Sequence, residues 1–428
     1  MSQQRKISVI GLGYVGLTTA VVFGQVAEVV AFDTDLGRIA ELKKNHDVND
    51  EVSSLDLDSK NILFTNDPRD LSKADFHIIS VPTPLDETKH PDLSILLRAT
   101  ETLAKQLKKN DIVVYESTVY PGATEEKCIP LLEKISGLVC GKDFSVGYSP
   151  ERINPADKEH QFTNIVKIIS ATDKASLAII AAVYSSVIKA GVFPVSSLRI
   201  AEACKIIENT QRDVNIALMN DIAMMLHSFG MDTKEVIEAM NTKWNALNFQ
   251  PGLVGGHCIG VNSFYLMHKA EEFGYHSEII AAGRHANEAI SRFIADETIK
   301  QLIHLNVVIK GARIAILGIT YKENCPDIRD SRVIDIIKAL EAYEVEVVVV
   351  DQIADPEQVT KEYGIDLVSW EKLSDVSAII LAVAHKEYTQ LTQKDFVKKL
   401  KKPGLIMDIK KVIQKDSLKN SGVTVWRL

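Results

Sequence analysis

Two groups of residues in this sequence have types and spacing suited to chemistry. The first is Gly11-Leu12-Gly13-Tyr14-Val15-Gly16, which follows the apolar run Ile7–Ile10 and opens a helical stretch, Leu17–Val26. The next apolar run, Glu28–Phe32, ends in Asp33. Here Gly11 allows a tight turn, Gly13 lets backbone approach a pyrophosphate, and Gly16 lets helix pack on strand. The helix start, with Tyr14 and Val15, offers unbonded N–H groups to phosphate. Asp33 can take both ribose hydroxyls, which favours NAD over NADP, while Arg38 could stack on adenine or accept a 2′-phosphate, so both cofactors stay open on these residues. The second group is Pro251-Gly252-Leu253-Val254-Gly255-Gly256-His257-Cys258-Ile259-Gly260, a glycine-rich loop that brings backbone close to a partner. Cys258, beside His257, reads equally as a reactive thiol and as a small buried hydrophobe.

These residues need elements to hold them. Short β-branched runs at Ile7–Ile10, Glu28–Phe32, His77–Val81, Ile112–Glu116 and Ile165–Ser170 alternate with helical patterns. The same texture returns at Arg313–Leu317, Glu346–Val350, Ala378–Val383, Gly404–Met407 and Val423–Trp426. Such alternation predicts parallel sheets built of βαβ units. Between them, Ser197 to Phe229 holds no Pro or Gly, and Ile200, Ala203, Ile207, Val214, Leu218 and Met225 recur at helical spacing, which predicts one long helix. Further helices are expected at Thr233–Asn241, Ser263–Phe273 and Ser277–Ile303. The expected fold is therefore α/β: two Rossmann-like doubly wound domains, 1–196 and 304–428, joined by a helical segment, 197–303.

Composition narrows the class. The chain has 428 residues, 49 Lys+Arg against 57 Asp+Glu, and a formal net charge of −8, so a nucleic-acid surface is not expected. Five cysteines, without CxxC or metal-ligand spacing, exclude a disulfide-stapled fold and predict no metal. The start, Met1 to Lys6, shows no signal-peptide pattern, and the longest apolar stretch, Leu177–Ile188, is too short to span a bilayer. A soluble protein of the reducing cytoplasm, with no membrane partner, is the expectation.

Further strings occur in order: Ser80-Val81-Pro82-Thr83-Pro84, Glu116 to Thr124, Tyr148-Ser149-Pro150-Glu151-Arg152-Ile153-Asn154-Pro155, Glu202 to Thr210, Gly318 to Asn324 and Asp327 to Ser331. With Gly11–Gly16 and the Gly255-Gly256-His257-Cys258 loop, the sequence resembles the UDP-glucose/GDP-mannose dehydrogenase family over nearly its whole length. The cysteine loop and the Ser149–Pro155 string look most like the branch acting on UDP-N-acetylhexosamines.

The resemblance implies NAD as cofactor, a UDP-sugar as substrate, four-electron oxidation of C6 to a carboxylate for surface polysaccharide, and a homodimer formed through the central helix. It makes 1–196 the NAD-binding domain, 197–303 the dimerisation segment and 304–428 the UDP-sugar-binding domain. By resemblance Cys258 is the nucleophile that retains the aldehyde as a thiohemiacetal and then a thioester. Lys205 and Asn209 stabilise the C6 alkoxide, Thr118 positions a water, and Glu151 is the acid/base. Thr83, Thr118 and Arg329 meet the cofactor. Glu151, Arg152, Lys205, Asn209, Gly255, Arg284 and Lys322 meet the substrate. Taken alone, Lys205 reads as a solvated helix lysine, Glu151 as a turn cap and Lys322 or Arg329 as a surface ion-pair partner.

The sequence also departs from the family. Asn262 stands where the family carries an aspartate beside the lysine, which keeps hydrogen bonds but loses a charge. Asn241–Asn245 lacks the arginine of the UDP-glucose branch, for which Arg284 is the candidate substitute. Asp408-Ile409-Lys410-Lys411 replaces a usual Lys-Gly. Two alternatives follow: UDP-glucose or GDP-mannose as substrate, or a binding protein with weakened turnover.

Overall fold

The computed structural model describes residues 5–48, 52–153, 161–256, 259–413, 418 and 421–428. The chain forms two compact units, residues 1–208 with 264–276, and residues 209–263 with 277–428. Each is described separately.

The first unit is built on eight strands: β1 (Ile7–Ile10), β2 (Val29–Phe32), β3 (Ile62–Thr65), β4 (Phe76–Ile79), β5 (Ile112–Tyr115), β6 (Ser145–Tyr148), β7 (Lys167–Ala171) and β8 (Val192–Pro194). Their order is β3-β2-β1-β4-β5-β6-β7-β8. All neighbouring pairs are parallel except β6 and β7, which run antiparallel with Gly147 opposite Ala171 and Tyr148 opposite Ser170. Strands covered on both faces read as near-continuous apolar runs, and β1, β2, β4 and β5 are buried at every position, their polar Ser8 and His77 bonded to each other at 2.7 Å. Helix Tyr14–Gly24 packs Leu17, Ala20 and Phe23 onto this sheet, and helix Lys174–Ser185 brings Ile180 and Tyr184 into the same core. The Phe23 and Tyr184 rings meet edge to face at 5.8 Å.

The second unit holds a five-stranded, wholly parallel sheet: β9 (Arg313–Leu317), β10 (Glu346–Val350), β11 (Val376–Leu381), β12 (Leu400–Asp408) and β13 (Val423–Arg427), in the order β10-β9-β11-β12-β13. Helices Glu278–His304 and Val333–Glu341 cover it, burying Ile290, Ile294, Ile336, Ile337 and Leu340 against Ile314, Ile316 and Ile380.

The fold is the expected one, with two Rossmann-like α/β sheets and a long helix, Leu198–Ser228, between them in sequence. Strands β3, β6 and β8 were not expected. The helix expected at Ser263–Phe273 starts earlier, at Ile259. Strand β4 starts one residue before the expected His77 and ends at Ile79, because the loop that follows leaves the sheet to build the site.

Candidate functional site

The glycine run behaves in the first unit as its spacing predicts. Gly11 has φ +91°, and a Cβ there would lie 2.5 Å from the Ser80 carbonyl oxygen. A Cβ on Gly16 would lie 1.8 Å from the Gly11 carbonyl oxygen, so only glycine lets the helix approach the turn. A Cβ on Gly13 would meet nothing within 4 Å. That open space faces the start of helix Tyr14–Gly24, which has no side-chain cap and no acidic residue in its first turn. An uncapped helix start beneath open space suits a pyrophosphate.

Asp33 closes the cradle. Its carboxylate accepts the Leu12 N–H at 2.7 Å and the Asp35 N–H at 2.9 Å, leaving acceptor capacity on both oxygens. Arg38 braces the same loop: Nε donates to the Leu12 carbonyl at 3.0 Å and the guanidinium pairs with buried Asp47 at 2.8 Å. Arg38 is thus bonded to the turn itself, and the Asp33 carboxylate keeps acceptors of the kind a ribose diol would use.

The loops after β4 and β5 carry the next candidates. The Ser117 hydroxyl accepts the Val81 N–H at 2.9 Å, and the Tyr148 hydroxyl donates to the Ser117 carbonyl at 3.0 Å. Thr83 accepts a 2.8 Å bond from the Tyr265 hydroxyl at its carbonyl. Thr118 is half-buried immediately beyond Ser117. Glu202, on the long helix, accepts the N–H groups of Gly122 and Thr124 at 2.5 and 3.0 Å and so pins the Thr118 loop. One helix turn further on, Lys205 is half-buried, and its Nζ donates to the Glu116 carbonyl at 3.4 Å. It is therefore held at the carboxyl end of β5, not spread into solvent.

Glu151 lies just past β6 and is 6% exposed. One carboxylate oxygen accepts the N–H groups of Arg152 and Ile153 at 2.6 and 2.8 Å, and the other takes the Lys167 ammonium. Lys167 also pairs with Glu116 at 3.0 Å. Burial pushes the Glu116 carboxyl up, against the pull of Lys167. Burial opposes the Lys167 charge, but the Glu116 and Glu151 carboxylates outweigh it and hold the ammonium above the usual lysine range. The Arg152 guanidinium reaches Glu208 on the long helix at 2.6 Å.

In the second unit Asn209, one turn beyond Lys205 on the long helix, is 3% exposed. Asn262, in the first turn of helix Ile259–Glu272, is 1% exposed, and among the described residues neither polar atom of its amide has a hydrogen-bond partner. Such an orphaned amide marks a place where a ligand or water bonds. Gly255 and Gly256 bring their backbone against other protein: a Cβ on the first would lie 2.7 Å from the Asp330 carbonyl, and one on the second 2.6 Å from the Tyr321 ring. Arg284 is buried against Asp213 at 2.7 Å, and Asp213 also accepts from Ser263 and Asn287. It lies in a buried network that ties three helices together. Lys322 lies 5.8 Å from the Tyr321 ring centroid, and exposed Arg329 forks onto Asp327 at 2.9 and 2.6 Å.

A pocket beside these residues is lined by Leu253, Tyr321, Lys322, Arg332 and Lys410. The last two cations were not singled out from the sequence, although the Lys410-Lys411 departure was the available signal. His257 and Cys258 lie outside the described residues. Of the other thiols, burial pushes Cys128 up to about 12 and raises Cys140 and Cys325, so none of these three has thiolate character. Among the described residues no helix is long and apolar enough to cross a membrane, and no group of three or more His, Cys, Asp or Glu could hold a metal.

The sequence matches the UDP-glucose/GDP-mannose dehydrogenase family in three parts: its NAD binding domain over residues 5–188, its central domain over 199–289 and its UDP binding domain over 315–415. It is 52% identical to Protein CapL of Staphylococcus aureus, over 99% of this chain and all of that one. It is 46% identical to the UDP-N-acetyl-D-glucosamine 6-dehydrogenase of Pseudomonas aeruginosa, over 96% of this chain and 98% of that one. The solved UDP-D-ManNAc dehydrogenase of Pyrococcus horikoshii superposes with a TM-score of 0.89 at 30% identity, covering 99% of this chain and 98% of that one. The chain therefore belongs to the UDP-glucose/GDP-mannose dehydrogenase family and is an NAD-dependent nucleotide-sugar dehydrogenase.

Proposed function

We propose that the protein oxidises C6 of a UDP-N-acetylhexosamine, UDP-GlcNAc or UDP-GalNAc, from alcohol to carboxylate. The observation that carries the chemistry is the fixing of Lys205 Nζ beside the Glu116 carbonyl, with Thr118 two residues further along the same loop. The substrate class is supported by the 46% and 47% identity to enzymes named UDP-N-acetyl-D-glucosamine 6-dehydrogenase.

NAD supplies the hydride acceptor for both oxidations, held by Gly11–Gly16, Asp33 and Thr83. Lys205 and Asn209 stabilise negative charge on the C6 oxygen as the alcohol gives its proton to the water placed by Thr118. The Cys258 thiolate adds to the aldehyde carbon, so the intermediate stays attached between the two oxidations. After the second, a water placed by Thr118 gives its proton to Glu151 while its oxygen bonds to the thioester carbon. The C–S bond breaks and its electron pair returns to the Cys258 sulfur. Lys322 and Arg329, with Arg332 and Lys410, supply positive charge for a nucleoside diphosphate.

The test is product stoichiometry on a panel of nucleotide sugars. Two NADH per UDP-N-acetylhexosamine, with faster turnover than on UDP-glucose or GDP-mannose, is expected, and Cys258→Ser should abolish the overall conversion. One NADH with release of aldehyde would sink the reading. The unpartnered Asn262 amide favours a second reading, a sugar-nucleotide-binding protein of weak turnover. It predicts binding of NAD and UDP-sugar by calorimetry with negligible NADH, and recovery in Asn262→Asp.

The three-part division at 196 and 303, the homodimer, the cytoplasmic setting and the role in surface polysaccharide belong to this proposal. Exposed Ile200, Ile207, Leu218 and Met225 on the long helix support the dimer. Free, buried Cys128 and Cys325 suit a reducing compartment.

A further inference from the structure

Lys167 has no part in the chemistry above, yet it is 3% exposed and faces two carboxylates. A buried lysine is unfavourable unless its charge is matched. The arrangement around it is specific. Its ammonium bonds one oxygen of Glu151 and lies 3.0 Å from Oε1 of Glu116, which also accepts the Tyr184 hydroxyl at 2.6 Å. It sits 4.8 Å from the Phe162 ring centroid and 5.4 Å from that of Tyr184. Among the described residues, the buried Glu116 Oε2 has no hydrogen-bond partner.

Backbone geometry delivers the pair. The antiparallel register sets Gly147 opposite Ala171 and Tyr148 opposite Ser170. Continued outward, it sets Glu151 opposite Lys167. The Ser149 hydroxyl donates to the Ile168 carbonyl at 2.8 Å, which keeps the two segments together beyond the last ladder pair.

We propose that Lys167 is a positioning residue for Glu151, fixing one carboxylate oxygen while the Arg152 and Ile153 N–H groups fix the other. The carboxylate then presents one remaining lone pair, in a set direction, to the water that cleaves the thioester. Glu116 sets the charge balance: one ammonium is shared between two acids. The inference rests on the assignment of Glu151 as the acid/base. The titratable and charged groups facing Glu151 are Lys167 on β7, Glu116 just past β5, Tyr184 on helix Lys174–Ser185 and the neighbouring Arg152, paired to Glu208.

The test uses the full-length enzyme with NAD and its preferred UDP-sugar, measuring kcat and KM across pH together with the pre-steady-state NADH burst. Lys167→Met is expected to lower kcat roughly 10–100-fold, within the range of general-base effects. The KM for the UDP-sugar should fall in parallel, leaving kcat/KM within about threefold, because the slowed step follows both oxidations. The NADH burst should persist, since both oxidations precede hydrolysis. The acid limb of the kcat profile should move to higher pH in Lys167→Met, which removes a favourable charge, and to lower pH in Glu116→Gln, which removes a repulsive one. Glu116→Gln retains an acceptor for Tyr184 and Lys167, so it carries the test if Lys167→Met does not fold. An unshifted limb in Glu116→Gln overturns the proposal, as does wild-type kcat in folded Lys167→Met. Glu151→Gln separates the two ideas. If it keeps wild-type turnover, the assignment of Glu151 is wrong; if it loses turnover while Lys167→Met does not, only the positioning role is wrong.

Discussion

Asp351 closes the first turn of the second α/β unit as Asp33 closes that of the first. Each accepts, at 2.7 Å, the N–H that follows a positive-φ glycine: Leu12 after Gly11 at +91°, and Ile319 after Gly318 at +88°. They differ in what else they hold. Asp351 also accepts from Ile353, Ala354 and His385, so its lone pairs are spent on protein. Among the described residues Asp33 accepts besides only the Asp35 N–H, and it retains capacity for a ribose diol. One repeated turn thus has an acid free to bind and an acid committed to structure.

Asp33→Asn should therefore weaken NAD by roughly tenfold, about 1.4 kcal/mol. It should narrow the NAD to NADP ratio in kcat/KM and leave the KM for UDP-sugar unchanged. Equal losses for both cofactors would show that the carboxylate does not meet the 2′-hydroxyl.

The two glycines of the cradle should separate by readout. Gly13→Val enters open space, so thermal stability should hold while the KM for NAD rises about tenfold or more. Gly16→Val meets the Gly11 carbonyl and should lower the melting temperature by several degrees, the response of a domain to a loss of roughly 1–3 kcal/mol.

Asp351 should contribute to acid stability. Burial alone would raise its carboxyl, but the His385 hydrogen bond and charge, with the N–H groups of Ala354 and Ile319, bring it below the usual value of 3.8. A lowered carboxyl contributes stability that is complete above the unfolded value and is lost as pH falls through the folded one. Wild-type denaturant midpoints should fall below about pH 4, and Asp351→Asn should be less stable at pH 7 with a flatter acid limb.

Lys205→Met should reduce kcat by about 100-fold or more, with a melting temperature close to wild type. The side chain is half-buried and its bond to the Glu116 carbonyl is long, 3.4 Å, a contact that by itself contributes little folding energy. A large loss of stability with intact turnover would return Lys205 to a structural role.

Much of this was legible along the chain because the signals are local. The long helix was expected from the absence of Pro and Gly, and its ends, Leu198 and Ser228, lie one residue inside the expected bounds. Strands β9 and β10 have the expected limits because their apolar runs are sharply bounded. Strand β6 escaped notice because Ser145-Val146-Gly147-Tyr148 is short and carries a glycine. That glycine answers to a distant neighbour: a Cβ there would lie 2.5 Å from Ile180. Lys167 was passed over as an ordinary strand residue, since its partners Glu116 and Glu151 come from other strands and only pairing brings them together. Arg284, expected by resemblance to meet the substrate, also bonds Asp213, a partner 71 residues away that its own neighbourhood in sequence does not announce.

The reversal between β6 and β7 has an evolutionary consequence. A parallel seventh strand would begin at the amino edge of the sheet, and a lysine at its start would lie a full strand length from Glu151. Running backwards, the strand begins at the edge where Glu151 lies, so its first residue pairs with Glu151 while its connection to β6 can change in length. Insertions and deletions between homologues should therefore collect after Ile153, in the stretch 154–166, and stop at Lys167, because a slip of one residue in this register would turn the ammonium to the other face.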